Sequence, residues 1–263
     1  MSRDKITEEQ LWTPSEAVLP VCLCIDTSGT MAITVGGRRT GRYVKGDDEY
    51  GNKLVAVVEG GTSRVDILEK GIQRFYNAIF ADEVARITVL VSIVTFNDKA
   101  KKVQNFVPVV KQDGQVRKTP HFTPQGETAM GEGINMALDL LEACKEKYKS
   151  KGVDCYQPWL IIMSDGMNNG DPSELAAAQE RIKDLVGRKK LAVYPFGIGK
   201  GADLDQLSRL SPQQEAFRLE EVQMEGLFKW FAKSAAQVSS GCVDGYSSPK
   251  LEYYEVVGWA EGL

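Results

Sequence analysis

Asp26, Ser28 and Thr30 stand at alternate positions in the segment Asp26-Thr27-Ser28-Gly29-Thr30. A carboxylate and two hydroxyls are hard oxygen donors, the kind that Mg²⁺ or Ca²⁺ prefers. They follow directly on the apolar run from Val18 to Ile25, which reads as a strand buried on both faces. In an open α/β sheet, ligands bind in the crevice beyond the strand carboxyl ends. The same five residues also read as a strand followed by a capped helix start, because Asp, Ser and Thr are all favoured N-caps.

Two later segments favour the ligand reading. The segment from Phe122 to Ile134 is a loop punctuated by Gly and Pro that runs into a helical pattern marked by Ile134, Leu138 and Leu141, with Thr128 near the helix start. The run from Trp159 to Ser164 is a second buried strand, and Asp165 follows it. A strand-end Asp with two hydroxyls, then a distant Thr, then a distant strand-end Asp matches the metal-ion-dependent adhesion site of von Willebrand factor A domains, whose pattern opens D-x-S-x-S. The chain resembles that family over roughly residues 18 to 240. Thr30 stands where the pattern has its second Ser, which keeps the hydroxyl and adds a methyl group.

The resemblance implies that Ser28 and Thr30 coordinate a metal directly and that Thr128 does so in some conformations. It implies that Asp26 and Asp165 act mostly through water. Hydroxyls are neutral, so two carboxylates at most balance a divalent ion, and the ion keeps an open position. Mg²⁺, or alternatively Mn²⁺ or Ca²⁺, is the cofactor implied. An acidic side chain of a protein partner is the natural last ligand. Glu127 stands where members of the family often carry Gly, and its carboxylate could tune affinity or repel an acidic partner.

The elements that must position these groups alternate along the chain. Strands are predicted at about 18–25, 86–96, 101–110, 158–164, 191–198 and 216–219. Helices are predicted at about 63–80, 130–148, 173–189, 204–210 and 224–239. That alternation predicts an α/β fold: a doubly wound, mostly parallel central sheet flanked by helices, with 101–110 as an antiparallel edge. Connections in such folds usually take about 2 to 6 residues, yet residues 32–62 separate the first strand from the first helix. Ile33-Thr34-Val35, Arg42-Tyr43-Val44 and Lys53 to Val58 are strand-like and punctuated by turn residues, so this insertion is predicted to be a β-hairpin. It is either a solvated hairpin or an element that touches whatever docks at the metal. The organisation expected is an N-terminal extension at 1–17, the domain at 18–240 and a C-terminal tail at 241–263. The tail either packs back over the domain or adds a strand, Val256-Val257-Gly258-Trp259, to a sheet edge.

Composition fits a globular protein of 263 residues with 43% hydrophobic and 26% charged residues. The net charge of -4 and the lack of a basic block with aromatics speak against nucleic acid. No apolar run approaches the roughly 18 residues of a membrane span, so no membrane partner is expected. The polar first ten residues are not those of a signal peptide, and five cysteines without metal-ligand spacing read as reduced thiols. A cytoplasmic protein is the expectation. Met31, Met130 and Met167 flank the three loops, either buried beneath them or as a binding rim. Asn168, Asn169 and Asp171 read as turn residues or as an extension of that rim. His121, the single histidine, reads as a surface or supporting residue.

Three classes of function follow. A protein-binding module using the metal site is favoured, and no enzymatic activity is expected. A metal-dependent hydrolase or phosphatase is the first alternative, but Ser28 occupies the place of the second Asp in the D-x-D-x-T phosphatase motif, which removes the proton donor. A structural domain with a vestigial metal loop is the second. Val193 to Gly199, Ala202 to Leu207, Ala216 to Leu219 and Leu227 to Phe231 look like the bacterial intracellular TerY type associated with tellurium resistance. That resemblance implies a stress-response adaptor or scaffold with kinase or phosphatase partners.

Overall fold

The computed structural model describes residues 17–35, 38–46, 53–165, 167–199, 201–212, 215–219 and 224–239. Residues 1–16 of the predicted N-terminal extension and the whole predicted C-terminal tail lie outside these residues.

Ten strands are described: β1 (Leu19–Asp26), β2 (Thr34–Val35), β3 (Arg38–Gly46), β4 (Lys53–Glu59), β5 (Thr62–Ser63), β6 (Val89–Phe96), β7 (Ala100–Pro108), β8 (Trp159–Ser164), β9 (Ala192–Ile198) and β10 (Phe217–Leu219). The α-helices are α1 (Arg64–Phe80), α2 (Ala85–Thr88), α3 (Met130–Ser150), α4 (Pro172–Gly187), α5 (Leu204–Ser208) and α6 (Met224–Ser239), and a single 3-10 turn covers Gly29–Ala32.

Six strands form one sheet in the order β10-β9-β8-β1-β6-β7. All neighbours are parallel except β6 and β7, so β7 is the expected antiparallel edge. From β1 the chain first builds outward to β6 and β7, then returns to build β8, β9 and β10 on the other side. The strand order therefore reverses between β1 and β8, where their carboxyl ends open a crevice. Asp26 ends β1, and Asp165 follows β8 directly.

Every residue of β1 is buried, because helices cover both faces. Leu19, Val21, Leu23 and Ile25 pack with α1 and α6, whereas Cys22 and Cys24 face α3 and α4. Burial pushes the Cys22 thiol up to about 12, which suits a core residue and not a nucleophile. Cys22, Cys24, Cys144 and Cys155 are free thiols. No helix among the described residues is long and apolar enough to cross a membrane.

The predicted hairpin is present as backbone pairing. β3 runs antiparallel to β4, and β2 pairs with β5 at its base. The Arg64 N–H then donates to the Ile33 carbonyl at 3.1 Å, closing the insertion where α1 begins. One predicted strand is too long. Ala85–Thr88 is a helical turn, because Asp82 Oδ1 accepts the Val84 and Ala85 N–H groups and the Thr88 hydroxyl donates to the Val84 carbonyl.

The helices around the crevice start by different means. Ser63 caps α1 by accepting the Asp66 N–H, and Asp171 caps α4 by accepting the Ser173 N–H with Pro172 in the first turn. Helix α3 has no side-chain cap from its own N-cap residue, Ala129. Its Met130 N–H donates instead to Asn168 Oδ1 at 3.1 Å, from the loop after β8.

Candidate metal centre

Asp26 is fully buried at the end of β1. One carboxylate oxygen accepts the Ser28 N–H at 2.7 Å, which folds the chain back over the strand end. The other accepts the Ser164 hydroxyl at 2.6 Å, which joins β1 to β8. That turn brings Ser28 Oγ within 3.0 Å of Thr30 Oγ1. Ser28 is buried and Thr30 exposed, so the pair faces outward from the crevice. Thr27 points the other way: its N–H and hydroxyl both donate to the Phe96 carbonyl at the end of β6.

The loop carrying Thr128 is fastened to the β1 loop by its backbone. The Gly29 N–H donates to the Gly126 carbonyl at 3.0 Å, and the Gln125 N–H donates to the Thr27 carbonyl at 2.9 Å. Gly126 has φ +71, and a Cβ there would lie 2.4 Å from the Asp98 carboxylate. That carboxylate accepts the Glu127 N–H at 2.8 Å. The position needs glycine both for its left-handed backbone and for the approach of Asp98. The Thr128 carbonyl accepts from the Asn169 and Gly170 N–H groups at 3.1 and 3.2 Å, which fastens the same loop to the one after β8. Thr128 and Asp165 are both buried. The Asp203 N–H donates to the Asp165 carbonyl at 2.7 Å.

The three predicted loops therefore meet at the strand reversal. Asp26, Ser28 and Thr30 are linked by direct hydrogen bonds, and Thr128 is held between the β1 and β8 loops by backbone bonds. Asp165 is near enough that its charge acts on Asp26. Asp26 is pushed up to about 6, first by burial, with the neighbouring charge of Asp165 adding to the rise. Hydrogen bonds from Ser164 and Ser28 offset part of it. The site carries a costly buried negative charge that a cation would relieve.

The donor set fits a small divalent ion. Octahedral Mg²⁺ with ligands at about 2.0–2.1 Å places neighbouring ligand oxygens about 3.0 Å apart, the separation of the Ser28 and Thr30 hydroxyls. Among the described residues no three His, Cys, Asp or Glu side chains group to hold a metal, so any ion here depends on hydroxyls.

Three supporting residues were not anticipated. Ser164 is the polar residue ending an otherwise apolar run beside Asp165, a readable signal. Asn168, read as a turn or rim residue, caps α3. Asp98 holds the Thr128 loop and had no signal of its own. Of the three methionines flanking these loops, Met31 and Met130 are buried and Met167 is exposed. His121 lies on the surface, 3.0 Å from Glu69.

No family model matches the sequence, and no curated protein matches it. Among solved structures, the chain is similar to the PilB minor pilin from Streptococcus sanguinis, with 16% identity and a TM-score of 0.54 over 85% of this chain and 62% of that one. A von Willebrand factor type A structure from Catenulispora acidiphila matches at 14% identity and a TM-score of 0.47, over 84% of this chain and 43% of that one. Proximal thread matrix protein 1 from the mussel byssus, in a structure with a zinc-occupied MIDAS motif, matches at 17% identity and a TM-score of 0.47, over 82% of this chain and 46% of that one. The chain spans less than two thirds of the length of each of these structures. At these identities the likeness is one of fold alone: a doubly wound α/β fold with a mostly parallel sheet flanked by helices.

Proposed function

We propose that this chain is a divalent-metal-dependent protein-binding module. Asp26, Ser28, Thr30, Thr128 and Asp165 would hold the ion, and an acidic side chain of a partner protein would complete its shell. The ion would supply an electrophilic, exchangeable position. The protein's own groups do the rest: Asp26 orients Ser28 and ties it to β8, and Thr30 presents its hydroxyl at the surface.

The observation that carries the reading is the 3.0 Å approach of the Ser28 and Thr30 hydroxyls above the buried carboxylate of Asp26. Mg²⁺ is the ion we favour, with Mn²⁺ or Ca²⁺ as alternatives. We propose binding without catalysis, since Ser28 stands where a D-x-D-x-T phosphatase has its proton-donating Asp. We also propose a cytoplasmic adaptor or scaffold of the TerY type, serving a bacterial stress response with kinase or phosphatase partners. The short sequence passages quoted above are the support for that narrower role.

Calorimetric titration with Mg²⁺, Mn²⁺, Ca²⁺ and Zn²⁺ tests the site. The wild-type protein is expected to bind at least one ion with one-to-one stoichiometry, and Ser28→Ala combined with Thr30→Val is expected to abolish it. Equal binding by both proteins would refute the assignment.

A further inference from the structure

Among the described residues, Ile33 and Met167 are the large apolar side chains left exposed, at 47% and 57%. Apolar side chains scattered singly over a surface need no explanation. Each of these two adjoins the proposed metal site. Ile33 donates its N–H to the Thr30 carbonyl at 3.1 Å, and Met167 donates its N–H to Asp165 Oδ1 at 3.3 Å. Each is hydrogen-bonded to a residue of the proposed ligand set, one on the β1 loop and the other on the β8 loop.

The surrounding charge narrows what fits. Glu127 is exposed beside Thr128, and the exposed Asp98 holds its N–H. Asp171, also exposed, lies at the start of α4 beyond Met167. A divalent ion that Asp26 and Asp165 at most balance keeps an open coordination position, which one incoming carboxylate can fill. A second would meet Glu127 and Asp98. The apolar pair offers contact to uncharged neighbours of that carboxylate instead.

We propose that Ile33 and Met167 are specificity residues for a protein segment in which a single Asp or Glu is flanked by large apolar side chains. The inference rests on the metal-binding reading above. Ile33 and Met167 cover the flanking side chains, while Glu127 and Asp98 disfavour acidic runs. Methionine suits such a contact because its unbranched, polarisable side chain adapts to different shapes.

Three capped pentapeptides test this by calorimetry in saturating metal: a central Glu flanked by Leu and Phe, the same Glu flanked by Ser, and Glu flanked by two Glu. The Leu/Phe peptide is expected to bind at least tenfold more tightly than the other two, an effect on the scale of partly covering two apolar side chains. Ile33→Ser with Met167→Ser should erase that preference and leave metal uptake unchanged, because both side chains are exposed. Metal uptake with equal affinity for all three peptides, or with no peptide binding, would overturn this inference and leave the metal site standing. Absence of metal uptake by the wild type would overturn the metal reading itself, and this inference with it.

Discussion

Replacing Asp26 with Asn separates the cost of the buried charge from its use. Asp26 has no exposed surface, and burial holds its carboxyl at about 6 against an ordinary value of 3.8. That rise of about two units corresponds to about 3 kcal/mol at 1.36 kcal/mol per unit. The folded value lies above the unfolded one, so the ionised group destabilises the metal-free fold. The penalty is complete above about pH 6, shrinks as pH falls toward 4, and is gone below the unfolded value. Asparagine keeps the shape and the acceptor for the Ser28 N–H, and its amide can donate to Ser164 Oγ if that hydroxyl turns. In chelator at pH 7.5, Asp26→Asn should therefore raise the melting temperature by roughly 6–12 °C, given about 2–4 °C per kcal/mol for a domain of this size. The difference should vanish near pH 4. Adding Mg²⁺ should raise the wild-type melting temperature, since an ion at a hundred times its dissociation constant contributes about 2.7 kcal/mol. It should leave the variant unmoved. The assay is thermal denaturation followed by circular dichroism, with and without metal, at both pH values. An Asn variant that melts below the wild type in chelator at pH 7.5 would refute the reasoning about the buried charge. An equal metal response in both would remove Asp26 from the site.

Asn168→Ala should cost about 1 kcal/mol by chemical denaturation, the worth of the cap it gives to α3, and should weaken metal binding through the Thr128 loop; unchanged metal affinity would mean that loop is held without it. Gly131→Ala would place a Cβ 2.3 Å from the Leu175 backbone nitrogen, so α3 and α4 must separate, and a loss of about 1–3 kcal/mol is expected. Thr128→Ala should weaken binding of an acidic peptide more than it lowers stability, as read by peptide titration beside denaturant melts. Metal uptake should weaken as pH falls through about 6, where protons compete for Asp26, and calorimetry in buffers of different ionisation enthalpy should register proton release at pH 6.

The sheet was legible because its strands are apolar on both faces. Val18 to Ile25 and Trp159 to Met163 admit few other readings, and the period of α1 was clear from Val65, Leu68, Ile72 and Tyr76. The start of β6 was not legible, because the turn at Ala85–Thr88 depends on Asp82 taking two N–H groups that hydrophobic patterning does not register. The five oxygen donors could be proposed from spacing and resemblance, since each sits at a strand end or a helix start. What joins them could not. Ser164, Asp98 and Asn168 act across sequence separations of 138, 29 and 38 residues, and local pattern carries no trace of such pairings. The insertion lies between these cases: turn residues between apolar segments foretold the hairpin, but not that β2 and β5 pair at its base.

The loops at the crevice are bound to one another by the protein's own hydrogen bonds. Gly29 to Gly126 and Gln125 to Thr27 join the β1 loop to the Thr128 loop, and Asn169 to Thr128 and Met130 to Asn168 join that loop to the one after β8. A site assembled by its metal would leave these contacts to form on binding and would lose affinity to the ordering cost. Here the ordering cost falls on folding, together with the cost of burying Asp26. The main gain on metal binding is then electrostatic relief at Asp26, where a proton competes directly with the ion. Weakening the backbone ties should lower metal affinity by loosening the donors, whereas neutralising Asp26 should remove metal affinity while stabilising the fold. Opposite changes in stability from two perturbations that both impair binding are the signature of a preorganised charged site. A site ordered by its ion would lose affinity without losing metal-free stability when the ties are cut.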